Sequence, residues 1–265
     1  MCSRECQSEL HAWGRENQVQ FDPAKESMHV IGRHDAAGPD FKIMGIHFDC
    51  KLLMNNAVHE TVVTSSWKLR TVMRTRRFFT HAELVLHYKS HILSFIEYRT
   101  PGISHACCSV LQPLDDIQGR LLKDLGISVT DALLHFNLAP LQSRRDMAML
   151  GLIHRTVLGK GPEHFKDFFR LATATSDLRT RLGQRRHNRQ LIDPRNARFS
   201  GQLRRSALGL IMIYNLLPQE VVEAKTVSLF QKLLQGMLKD LASSSVEGWP
   251  SLFSPRVPLY RHLLR

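Results

Sequence analysis

Several sets of residues in this 265-residue chain have the types and spacing to do chemistry. Lys25 ends the segment Asp22-Pro23-Ala24-Lys25, which lies between two alternating runs, Val19 with Phe21 and Met28 with Val30. Alternation around an Asp-Pro pair predicts a β-hairpin with the lysine at its turn, where the ammonium can meet an anion or simply be solvated. Asp115-Asp116 is the one tandem acidic pair and could be read as a cation site. It falls inside the helical pattern Leu111, Leu114, Ile117, Leu121, which makes it a water-facing pair on a helix. His87 and His91, at i and i+4, could offer two imidazoles to zinc, with Cys107 and Cys108 as distant candidates, but two ligands are not a site and no glutamate follows His87. A Gly-x-Ser-x-Gly elbow, a Walker-type loop and Gly-x-Gly-x-x-Gly are all absent, so hydrolase, NTPase and dinucleotide chemistries have nothing to stand on.

Arginine is the residue type that stands out. Lys and Arg number 36 against 24 Asp and Glu, a formal charge of +12 that favours a polyanionic partner. Lys68, Arg70, Arg74, Arg76 and Arg77 occur with no acid between Thr61 and Ala82. Residues 70, 74 and 77 share a helix face, where like charges cost stability unless a partner offsets them. Between Arg170 and Arg205 ten arginines meet two acids, which supplies eight of the twelve excess charges. Of these, Arg179, Arg181, Arg185, Arg186 and Arg189 read as a phosphate clamp, with few aromatics interleaved and therefore backbone contact expected over base stacking.

The elements that must carry these residues follow from periodicity. A helix is expected over 3–17, then the hairpin, then a buried strand over Phe41–Phe48. From Asn56 the period becomes helical: a long helix to Phe78, a second opened by a Thr80/Glu83 capping box and closed at Pro101-Gly102, and a third over Leu111–Leu125 stopped by Gly126. A short fourth opens at Thr130-Asp131, a fifth spans 141–158, and helices resume over 206–217 and 226–241. The arginine-rich stretch lacks apolar period and reads as a long irregular excursion, and the Ser- and Pro-rich end as loosely docked. Five cysteines without framework spacing suit a reducing compartment, and no apolar run suggests a signal peptide or membrane span, so nucleus or cytoplasm is expected. No membrane or small-molecule partner is expected.

Laid out in order, the chain resembles the C-terminal part of a non-LTR (LINE-type) retrotransposon reverse transcriptase. The resemblance runs through Glu9-Leu10-x-x-Trp13, Phe21-Asp22-Pro23-x-Lys25 and Phe41-Lys42-Ile43-Met44-Gly45-Ile46, which stand where the closing palm motifs would. It continues through Leu86-x-Tyr88, Glu97-Tyr98, Leu114-Asp115-x-x-Gln118, Pro140-Leu141-x-x-Arg144-Arg145, Tyr214-Asn215-x-Leu217-Pro218, and Phe230 with Lys232 and Leu234. Departures include Asp22 for the usual asparagine, Glu26 between the lysine and Ser27, and Met44 for leucine.

The resemblance implies a mainly helical α+β fold: a small antiparallel palm remnant over 1–54, thumb-like helices over 55–126, a helical connection over 127–242 holding the basic loop 170–205, and a loose tail over 243–265. It implies an RNA-directed DNA polymerase relative whose Lys25 lies by the nucleotide phosphates and whose Met44-Gly45 resembles a primer grip. Nucleotide joining needs two metal ions held by carboxylates. The resemblance places those carboxylates upstream of Met1, so the chain is expected to lack polymerase activity alone and to hold no cofactor, Mg²⁺ belonging to the complete family enzyme. Expected partners are RNA or an RNA/DNA duplex, gripped through the backbone, and the upstream palm and fingers polypeptide. The alternatives are a non-catalytic protein-interaction module and a degenerate retrotransposon fragment without a selected role.

Overall fold

Helical periodicity beyond residue 55 is realised nearly element for element in the computed structural model, which describes residues 3–22, 26–32, 35–172, 186–193 and 201–265. Among the described residues the protein is mainly helical with one two-stranded antiparallel sheet. It divides into two compact units, Met1–Phe41 with Asp49–Leu52, and Lys42–Phe48 with Leu53–Arg265.

In the first unit α1 (Ser3–Glu16) is the expected helix. The expected hairpin does not follow: Val30 bridges Ala37, and Val19–Phe21 forms no ladder with Met28–Val30. The cause is competition from α1. Phe21 lies against His11 at 5.5 Å and so close to Gly14 that a Cβ there would sit 2.5 Å from its ring. Glu26 accepts from Gln7 Nε2 at 2.6 Å and pairs with His11 at 2.7 Å, which holds its carboxyl below the usual range. Lys25 and its turn lie outside the described residues.

The run Phe41–Phe48 is two strands instead of one, β1 (Phe41–Ile43) and β2 (Ile46–Phe48). Met44 and Gly45 both take positive φ, 50° and 79°, the backbone of a tight two-residue hairpin turn. Helix α2 (Asn55–Arg74) follows, and Arg76–Phe78 adds a 3₁₀ turn. The Thr80/Glu83 capping box forms as expected and opens α3 (His81–Tyr88). A π-helical turn, Lys89–Leu93, then leads into α4 (Ser94–Ile103), which runs past Pro101. Gly102 brings the hairpin onto α4: a Cβ there would meet Ile46 and Phe48 at 3.2–3.3 Å. Tyr98 O–H donates to the Met44 carbonyl at 3.0 Å. These contacts explain why the hairpin belongs with the helices and not with the segment preceding it.

Helix α5 (Cys108–Leu125) ends at Gly126 with φ 65°, and α6 (Val129–Phe136) is capped by Ser128, two residues before the expected start. Helices α2 to α5 and the hairpin enclose one apolar cluster, with Ile96, Leu114 and Ile117 wholly buried. After α7 (Leu141–Val157) a short helix α8 (Gly201–Arg205) has no buried residue, and the second cluster gathers α7, α9 (Ile211–Tyr214), α10 (Gln219–Val222) and α11 (Val227–Ser243) with their connecting turns. The C-terminal residues are part of it, contrary to the expectation of a loose tail. Trp249, Leu252, Phe253 and Leu264 are buried, and Ser143 O–H donates to the Pro250 carbonyl at 2.6 Å. Large apolar side chains between the prolines outweigh the loop-like composition.

Candidate nucleic-acid interface

Helix α2 turns 100° per residue, so its apolar positions decide which others face water. Ala57, Val58, Thr61, Ser65 and Leu69 are buried against the core. Residues 63, 67, 70 and 74 lie within an arc of roughly 60° on the opposite side. That outward stripe holds Val63, Trp67, Arg70 and Arg74, all exposed, with Trp67 61% exposed. The 3₁₀ turn continues it with Arg76, Arg77 and Phe78, the last 68% exposed with the Arg77 guanidinium 4.6 Å over its ring. Leaving an aromatic ring of this size in water forgoes about 3 kcal/mol of burial. The side chains of Arg70, Arg74 and Arg76 form no hydrogen bond or ion pair among the described residues. The flanking acids face elsewhere, Glu60 toward His47 at 3.8 Å and Glu83 in its capping box. Arg120, from α5, adds a guanidinium beside α2 by donating to Ser66 at 3.1 Å.

Lys68 differs from its arginine neighbours. Its Nζ donates to the His91 carbonyl at 3.1 Å and sits 4.2 Å over the Phe95 ring, whose other cationic neighbour is Arg99 at 4.0 Å. It therefore secures α2 to the π-helical turn.

Of the second arginine group, Arg179, Arg181 and Arg185 lie outside the described residues. Arg186 and Arg189 are described, and both are occupied internally, which corrects their reading as a phosphate clamp. Arg186 donates to the carbonyls of Leu216, Leu264 and, at 2.6 Å, Arg265. Arg189 donates to Val222 O at 2.7 Å, at the end of α10. Beside them His187 Nε2 donates to Tyr214 O at 3.0 Å, and Asn215 exchanges two hydrogen bonds with the Leu191 backbone at 2.8 Å each. Other cations do the same work: Lys89 reaches Phe136 O, Arg205 reaches His105 O, and Arg256 bridges Ser104 O and Ala106 O at the end of α4. Positive groups are favoured there because the last carbonyls of a helix carry partial negative charge and lack partners. Much of the basic excess is consumed by the fold itself.

The acidic pair is likewise committed. Asp115 receives Arg145 in a bidentate pair at 2.6 and 2.8 Å, with the arginine nearly buried, so it is an interhelical anchor instead of a solvated face. Asp116 accepts from Gln112 at 2.9 Å. Several residues of the short motifs fall into the same polar seam. Arg144 donates to Glu97 at 2.5 Å, Gln118 donates to Ala139 O at 3.1 Å, and Tyr88 is buried with its hydroxyl 3.5 Å from Gln118. A cleft of about 280 Å³ opens beside the Arg144–Glu97 pair and is lined by Thr100, Met147 and Gln235.

Sequence reasoning missed two buried groups. Asp146 is buried with Oδ2 unpartnered, and burial pushes its carboxyl up to about 7. His154 is buried in the second cluster, stacked on Phe230 at 4.1 Å. Its Nδ1 accepts from Tyr214 O–H at 3.0 Å and its Nε2 donates to Ala224 O at 2.9 Å, and burial lowers its pKa. Their only signal in sequence was a polar residue on the apolar side of α7.

His87 and His91 stack in parallel at 6.0 Å, and Phe79 meets His87 edge-on. Among the described residues no group of three or more His, Cys, Asp or Glu could hold a metal ion. Met44 and Gly45 occupy the hairpin tip, with Met44 exposed and its carbonyl tied to Tyr98. No described helix is long and apolar enough to cross a membrane. No family model, curated protein or solved structure matches the chain.

Proposed function

We propose that this chain grips the sugar–phosphate backbone of RNA or an RNA/DNA duplex as a truncated reverse-transcriptase-like protein that does not join nucleotides by itself. The observation that carries the reading is the outward stripe of α2 and its 3₁₀ extension, where Arg70, Arg74, Arg76 and Arg77 stand exposed and form no ion pair among the described residues, the neighbouring Glu60 and Glu83 being engaged elsewhere. Like charges three and four residues apart repel, so the arrangement makes sense where an anion offsets it. Guanidinium groups meet phosphate oxygens in pairs of hydrogen bonds, and a helix presents them in a row a backbone can follow. Of the acidic pair that could be taken for a metal site, Asp115 is held by Arg145 and Asp116 accepts from Gln112, so no reaction is assigned to it. In this reading the catalytic carboxylates come from an upstream palm and fingers polypeptide, which would dock beside the exposed Ile43 and Met44 of the hairpin.

The test is anisotropy titration of a labelled RNA/DNA hybrid across salt. Each phosphate contact adds about 0.9 to the slope of log affinity against log salt, so R70E/R74E/R77E should bind weakly and flatten the slope by roughly 2 to 3. Absence of binding by the native chain at about 50 mM salt, or an unchanged slope in the variant, rejects the reading.

A further inference from the structure

We infer that the α2 stripe takes unpaired bases as well as phosphates, so that its preferred ligand is single-stranded nucleic acid; the inference rests on the backbone-binding reading above. A purely electrostatic tracker of duplex backbone needs cations and small polar groups. This stripe instead places Trp67 one turn before Arg70 and two turns before Arg74, and Phe78 next to Arg77, with both rings largely in water. Trp67 and Arg74 are seven residues apart, roughly 10 Å along the axis, so a row of guanidinium groups runs from the indole toward Phe78 over a length that spans successive nucleotides of one strand. Every base has a π-face that can stack on an indole or phenyl ring, whereas in a duplex those faces are already occupied by neighbouring pairs. The Arg77 guanidinium, 4.6 Å over Phe78, adds a planar cation that can stack on a base or pair with its phosphate.

An anionic lipid surface would be the other taker of a basic, aromatic helix face. Such a helix inserts a broad apolar side, and in α2 that side is Ala57, Val58, Thr61, Ser65 and Leu69, buried in the core. What remains outward is a narrow row with arginines in it, which matches a chain of phosphates and bases more closely.

The experiment compares three labelled probes on the full chain: oligo(dT), an abasic strand of equal length, and a DNA duplex. Both aromatic side chains face water, so W67A/F78A should keep the native thermal transition. At one stacked base on each of the two rings, oligo(dT) should bind at least roughly 30-fold tighter than the abasic strand, and W67A/F78A should erase that advantage. In a W13F background, oligo(dT) but not the abasic strand should quench emission from Trp67, since the remaining Trp249 is buried. Equal affinity for oligo(dT) and the abasic strand, or an advantage that survives W67A/F78A, overturns the inference and leaves backbone binding standing. Tighter binding to duplex than to oligo(dT) also overturns it, as does sedimentation with phosphatidylserine vesicles that W67A/F78A abolishes without changing strand preference. If R70E/R74E leaves all three probes bound as before, the backbone reading itself fails.

Discussion

Asp146→Asn should make this protein more stable in mildly alkaline buffer and reverse the way its stability changes with pH. Asp146 sits in α7 with Oδ2 buried and unpartnered. Burial raises its pKa from 3.8 to about 7, the nearby Arg145 and Arg256 offsetting only part of the penalty. A shift of about three units is worth about 4 kcal/mol between the two protonation states. The sign follows from proton counting. Between about pH 4 and 7 the folded protein holds a proton on Asp146 that the unfolded chain has released, so this group's contribution is full below pH 4. It falls by up to about 1.4 kcal/mol per pH unit as pH rises toward 7. His154 acts the other way: its folded pKa is lowered, so its contribution is full above the unfolded value near 6.5 and is lost as pH falls. Asparagine keeps the shape and cannot ionise. Urea melts of both proteins at pH 5, 6, 7 and 8 should therefore show the variant gaining at pH 8, by up to about 4 kcal/mol, with stability that rises through pH 6 as His154 and the similarly buried His262, whose pKa is also lowered by burial, dictate. A variant less stable than the native protein at pH 8, or a difference independent of pH, would mean that Asp146 is ionised and paired in the folded state, and the reasoning fails.

Three further outcomes follow from the same packing. Tyr214→Phe removes the hydroxyl that donates to His154 Nδ1 and leaves a buried acceptor unsatisfied, a loss of about 1–3 kcal/mol measurable by thermal unfolding. Asp115→Asn strands the buried Arg145 guanidinium and should cost roughly 3–5 kcal/mol in a urea melt, far above the near-zero effect of a solvated acid. Arg189→Ala should lower the melting temperature without changing the salt slope of nucleic-acid binding, because its guanidinium serves the Val222 carbonyl; a flattened slope would return it to the interface.

Where the apolar period was long, sequence and structure agree. The run of Leu111, Leu114, Ile117 and Leu121 closed by Gly126 specifies α5 through local sterics and burial alone, and the Thr80/Glu83 box marks a helix start because its two hydrogen bonds are local. Short alternating runs misled for the opposite reason. Nothing local distinguishes one strand over Phe41–Phe48 from two strands about a Met44-Gly45 turn, and only the docking of Ile46 and Phe48 on Gly102 selects the second. The candidate interface was half legible. The buried face of α2 could be read from its period, and the outward stripe is its complement, but which cations on that stripe are free was not.

By itself, then, the linear order of residues determined the helical class, the caps and the excess of positive charge, since each depends on composition or on neighbours a few positions apart. Tertiary structure alone decided how that charge is spent. Arg186 and Arg189, which look in sequence like a phosphate clamp, turn inward onto backbone carbonyls remote along the chain, while Arg70 and Arg74 remain in water. A guanidinium goes to whichever acceptor lies within reach, and reach is set by packing between segments that are remote along the chain.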